Sequence, residues 1–130
     1  SEPSTLCRYL EFEAARQSSD TVIRLAEPMI RAAMGRCATQ IEGRVNLPQA
    51  WGCLALLRLL LGEGFGALDA LAHLLDLCER PSAGTAGRVC AAGRAVRRLR
   101  TALAHLRCIR EKLPGFDWLE RATLLGLATP

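Results

Sequence analysis

Leucine, alanine and isoleucine recur at intervals of three and four along most of the chain, the spacing of one face of an α-helix. No stretch shows the strict alternation of a half-buried strand. The clearest repeat runs through Val22, Leu25, Ala26, Met29, Ile30, Ala33 and Cys37. The pattern predicts about six helical segments. The first spans Ser4 to Arg16, with Ser4 or Thr5 as its cap. The second follows Ser18, Ser19 and Asp20 and reaches Ile41; Pro28 either kinks it or divides it into two helices. A turn at Glu42 to Leu47 precedes a third helix, Pro48 to Leu61, in which proline occupies the tolerated first turn. Glycines 62, 64 and 66 break the chain before a fourth helix, Ala67 to Arg80. Pro81 to Gly87 reads as a loop. A long fifth helix, Arg88 to Leu113, ends at Pro114-Gly115, and Phe116 to Leu127 forms a short sixth.

The third and fourth segments are apolar around most of their circumference. Leu54, Leu56, Leu57, Leu59, Leu60 and Leu61 leave the third with almost no wet face, interrupted by Arg58. On the fourth, Asp69, His73, Asp76 and Arg80 form a narrow polar strip. Helices apolar all round are buried helices, so these two are expected to form a central hairpin with the others packed around it. The fold class that follows is all-α: a single compact bundle over residues 1–130. No apolar run approaches the roughly 18 residues that a membrane span requires, and the polar opening from Ser1 to Thr5 lacks the pattern of a secretory signal.

Composition narrows the function classes. A net charge of +4, carried mostly by arginine, admits an anionic partner without requiring one. Aromatics are only 5% of the chain, too few for the base-stacking surfaces of single-strand binders, so nucleic acid is disfavoured. The six cysteines are spread about one per helix and form no C-x-x-C pair. That dispersion reads as reduced thiols in an intracellular protein rather than a disulfide framework.

Candidate chemistry is thin. The glycine-rich run follows a helix, not a strand, and lacks the Lys-Ser/Thr ending of a phosphate-binding loop; it reads as a turn. Asp69, His73 and Asp76 share one helical face and would suit a metal, but the same spacing describes a solvated strip satisfied by Arg58 or Arg80. His105 and Cys108 would join Cys78 and Cys90 at a zinc ion only if distant helices converged. Neither histidine is tied by spacing to a nucleophile. The expectation is therefore no enzyme, no cofactor and no metal. Arg58, placed on a core helix, requires a partner, with Glu63, Asp69 and Asp76 as candidates.

The most specific feature is the fifth helix. Ala92, Val96, Leu99, Leu103, Leu106 and Leu113 fall on one side; Arg94, Arg97, Arg98, Arg100, Arg107 and Lys112 fall on the other. Glu111 is its only acidic residue. Basic amphipathic helices dock on anionic membranes or in acidic grooves. In a folded bundle the leucine side faces the core and the arginines form a positive surface. Arg94, Arg97, Arg98, Arg100 and Arg107 are the candidate membrane- or partner-binding residues.

Two stretches resemble the peroxin family that elongates and divides peroxisomal membranes. Thr5 to Met34 (TLCRYLEFEAARQSSDTVIRLAEPMIRAAM) is similar to that family's opening helix, turn and second helix. Asp20, Ile23, Arg24 and Leu25 match; Ser18, Ser19 and Thr21 depart. Gly87 to Leu113 (GRVCAAGRAVRRLRTALAHLRCIREKL) is similar to the family's basic amphipathic helix. In the family the second block follows the first closely, whereas Asn46 to Arg80 intervenes here. The resemblance implies that the five arginines meet phospholipid headgroups while Val96, Leu99, Leu103 and Leu106 meet the acyl boundary. The expected function is thus a non-catalytic helical module at a cytosolic membrane surface, in peroxisomal membrane elongation if the resemblance holds. The alternative is a soluble helical adaptor that receives a protein partner in a surface groove.

Overall fold

A computed structural model describes residues 2–78 and 91–128. Among these the chain forms seven α-helices: α1 Pro3–Gln17, α2 Thr21–Leu25, α3 Glu27–Glu42, α4 Leu47–Leu60, α5 Gly64–Cys78, α6 Ala91–Leu106 and α7 Phe116–Ala128. A 3-10 segment, Arg107–Lys112, joins the last two. No strand occurs among the described residues. Arg80, Arg88, Cys90 and the Pro81 to Gly87 loop lie outside them.

The expected second helix is two helices. Ala26 leaves helical geometry at φ −92°, ψ 7°, and Pro28 then sits in the first turn of α3, where its missing N–H costs no hydrogen bond. Pro3 and Pro48 open α1 and α4 in the same way. The cap of α1 falls at Glu2 rather than at Ser4 or Thr5, because Pro3 starts the helix earlier. The expected fifth helix tightens after Leu106 into the 3-10 segment, with Ile109 at non-helical φ and ψ.

Gly62 closes α4 at φ +81°. Its N–H reaches Leu59 O at 3.0 Å, and the Glu63 N–H reaches Arg58 O at 2.8 Å, the paired bonds of a Schellman cap. At Gly64 and Gly115 two turns meet backbone to backbone: a Cβ on Gly115 would lie 2.8 Å from the Gly64 Cα. This approach locks the α4–α5 turn to the start of α7.

α4 is the central element and packs against α1, α3, α5 and α6, while α7 covers α5 and α6. Leu54, Ala55, Leu56, Leu57, Leu59 and Leu60 are all buried, as an all-round apolar helix requires. Its partner α5 is less enclosed than expected. Phe65, Asp69, Ala72, His73 and Asp76 are exposed, so it buries one face only, through Ala67, Ala70, Leu71 and Leu74. The α4–α5 hairpin is central through α4. Among the described residues, no helix is long and apolar enough to cross a membrane.

Candidate functional site

On α1, Leu6, Cys7, Leu10 and Ala14 turn inward, and Glu11 falls on the same face with no solvent exposure. An ionised carboxylate so placed costs several kcal/mol unless its oxygens are satisfied. Both partners come from α6. Arg98 Nη2 lies 3.2 Å from Oε1, and His105 Nδ1 lies 2.5 Å from Oε2. Phe12 stands beside the imidazole with ring centroids 5.0 Å apart. This cluster ties α1 to α6 across the bundle.

The five arginines expected to form one docking face are divided by the fold. Arg98 is committed to Glu11. Arg107 pairs with Glu120 of α7 at 2.7 Å. Arg100 is half-buried, and its Nη1 is enclosed without a hydrogen-bond partner. Arg97 is exposed, and Arg94 is exposed at the mouth of a groove. The opposite side of α6, Ala92, Val96, Leu99, Leu103 and Leu106, is buried in the core, as is Leu113.

The groove runs between α1, α4 and α6 and has a volume of about 550 Å³. Ser4, Thr5, Asn46 and Gln49 supply polar rim groups; Leu56, Leu99, Ala95 and Ala102 supply an apolar floor. Among the described residues, Arg8, Arg94 and Arg98 line it together with one carboxylate, that of Glu11. The balance is positive in a partly desolvated concavity, which strengthens attraction for an anion. α4 packs on α6 at Gly52, where an added Cβ would stand in ordinary van der Waals contact with the Ala95 Cβ at 3.7 Å.

Cys7 and Cys53 line the same groove from α1 and α4. The Cys7 Sγ lies 4.0 Å from the Cys53 carbonyl oxygen, so the two cysteines are direct neighbours. The hydrogen bond to Cys53 and burial push the Cys7 thiol well above the usual thiol range. The same bond, and then the Arg98 charge, draw the Cys53 thiol down against the opposing effect of burial. Cys37, fully enclosed behind them, is pushed up to about 12, first by burial and then by the Cys53 charge. Cys7, Cys37, Cys53 and Cys108 are free thiols.

The other singled-out residues have local partners. Arg58 Nη1 donates to Gly66 O at 2.9 Å and lies 3.7 Å from Asp69, so Asp69 is its acidic neighbour among those anticipated. His73 stacks on Trp51 at 4.2 Å and 8°, and its Nδ1 lies 3.0 Å from Asp69 O. Cys108 Sγ turns to the His105 carbonyl at 3.7 Å. Among the described residues, no three metal-ligating side chains converge. Cys90, the fourth member of the anticipated zinc set, lies outside them.

Comparison with protein-family models, with curated proteins and with solved structures finds no match. Glu11, Arg8 and the Cys7–Cys53 pair were not singled out in the sequence. One signal for Glu11 was present: counting by fours from Cys7 puts a carboxylate where an apolar residue should stand. The thiol pair had none, because 46 positions separate its members.

Proposed function

We propose that the chain is a non-catalytic helical binding module that receives an acidic segment of a protein partner in the groove between α1, α4 and α6. The observation carrying this reading is the pair Arg8 and Arg94, beside the Glu11-paired Arg98, at a groove lined by Leu56, Leu99 and Ala102. Arginine clusters recognise acidic motifs through charge-assisted, often bidentate hydrogen bonds. The floor at Leu56, Leu99 and Ala102 would take an apolar side chain flanking the acids. The groove volume of about 550 Å³ falls in the range that holds compact ligands. Titration with a fluorescein-labelled peptide of alternating glutamate and leucine tests the reading. Binding that weakens about tenfold for each of Arg8→Glu and Arg94→Glu is expected, since charge pairs in such contacts are each worth more than 1 kcal/mol.

A second reading, electrostatic docking on an anionic membrane, is favoured by the exposure of Arg97 beside Arg94. Each basic group near such a surface adds about 1 kcal/mol. This docking would proceed without insertion, because Val96, Leu99, Leu103 and Leu106 belong to the core and withdrawing them would dismantle it. The peroxin resemblance would then place the surface on the cytosolic side of the peroxisome. Arg97→Glu separates the two readings, since Arg97 does not line the groove.

A further inference from the structure

We propose that Cys53, with Cys7 as its partner, is a thiol–disulfide exchange site for a small anionic disulfide of the glutathione disulfide type, and that the reaction ends in a Cys7–Cys53 bridge across the groove floor. The proposal stands whether or not a peptide occupies the groove.

Three features converge on it. The two cysteines belong to different helices, yet the Cys7 Sγ lies 4.0 Å from the Cys53 carbonyl oxygen, so a modest side-chain movement would bring the sulfurs to a bonding distance of about 2 Å. Both line an open groove rather than a sealed core; Cys53 is half-buried, whereas Cys7 is 5% exposed. The groove wall carries Arg8, Arg94 and Arg98, which would hold the carboxylates of an anionic disulfide beside the sulfur. Exposure assigns the roles: Cys53 is the more accessible of the two, and the Arg98 charge beside it favours its thiolate, which is the attacking form. Cys7 retains its proton until a mixed disulfide gives it a target. Cys37 does not line the groove and is fully enclosed, so no reagent reaches it.

The chemistry balances in two exchanges. Cys53 Sγ attacks one sulfur of glutathione disulfide; the new S–S bond forms as the old one breaks, and one glutathione thiolate leaves. Cys7 Sγ then attacks Cys53 Sγ and expels the second glutathione. Two protein thiols are oxidised, one disulfide is reduced to two thiols, and the two protein protons end on the two glutathiones. The bridge ties α1 to α4 beside the Glu11–Arg98 pair.

The test treats the reduced chain with glutathione disulfide and follows each cysteine by peptide mass spectrometry over time. The exposed Cys108 serves as an internal reference for an ordinary surface thiol. The expected record is glutathionylation of Cys53 several-fold faster than of Cys108, followed by conversion to a Cys7–Cys53 linked peptide. In Cys7→Ser the Cys53 adduct should persist, and circular dichroism checks that this variant folds. Replacing glutathione disulfide by neutral hydroxyethyl disulfide should reduce the advantage of Cys53, and so should Arg8→Gln combined with Arg94→Gln. Cys108 reacting first in the unmodified chain would overturn the proposal. So would a wild-type Cys53 adduct that never converts to the bridge, a result that requires no variant to fold.

Discussion

His105 Nδ1 lies 2.5 Å from Glu11 Oε2, joining residues 94 positions apart on α6 and α1. Glu11 has no solvent exposure, whereas the Arg98 side chain that shares it is 42% exposed. The asymmetry decides how the cluster responds to substitution. Removing the carboxylate leaves two partners with access to water; removing the Arg98 charge leaves a carboxylate with none.

Arg98→Met should therefore destabilise the fold by about 2–4 kcal/mol, near the cost of orphaning a buried charge and reduced because Arg98 is partly hydrated. Glu11→Met should cost less than Arg98→Met, because the Arg98 side chain it leaves behind is 42% exposed and can be hydrated. The double variant should recover most of the Arg98→Met loss. Urea denaturation of the four proteins measures all three.

Two glycines should respond with opposite sign. Gly115 is held at φ +89°, and an added Cβ would meet the Gly64 Cα at 2.8 Å. Gly115→Ala should cost about 1–3 kcal/mol, from strain at positive φ and displacement of the locked turns. Gly35 lies exposed within α3, with nothing within 4 Å of its would-be Cβ. Gly35→Ala should stabilise by about 0.4–1 kcal/mol, since alanine restricts the unfolded chain and suits a helix. Thermal melts of the two variants give the signs.

The enclosed Cys37 thiol makes the fold sensitive to alkali. Cys37 ionises near pH 9 when unfolded and only near 12 when folded. Between those values the unfolded chain has lost a proton that the folded chain keeps. Stability is fully present below about pH 9 and is lost as pH rises toward 12, with a slope of up to about 1.4 kcal/mol per pH unit for this one thiol. Denaturant midpoints measured from pH 8 upward should fall, and Cys37→Ala should flatten the decline.

The helical architecture was legible because leucine spacing reports burial directly. The burial of α4 and the division of the α6 surface into leucine and arginine sides follow from local periodicity alone. Pro28 left two outcomes open, and Ala26 settled them by leaving helical geometry one residue before α3 begins. The placement of individual arginines was not legible. Arg98, Arg100 and Arg107 resemble Arg97 on a helical wheel, but their surroundings depend on what α1 and α7 bring against α6. Glu120 and Glu11 supply two of those partners. The same holds for the groove, whose wall is made by Arg8 as much as by α6 and whose lining also draws Gly52, Cys53 and Leu56 from α4. A pattern read along one helix reports which side faces inward; it carries no information about which neighbour arrives.

On the proposed function, the α1–α4–α6 groove binds an acidic segment through Arg8 and Arg94. The most direct measurement is the affinity of the labelled glutamate–leucine peptide for the wild-type chain, Arg8→Glu and Arg97→Glu, with anionic and neutral vesicles run in parallel. The account predicts peptide binding that Arg8→Glu weakens about tenfold and Arg97→Glu leaves unchanged. Binding to anionic vesicles alone, lost in Arg97→Glu and unaffected by Arg8→Glu, would contradict it and assign the function to the outer arginine face of α6.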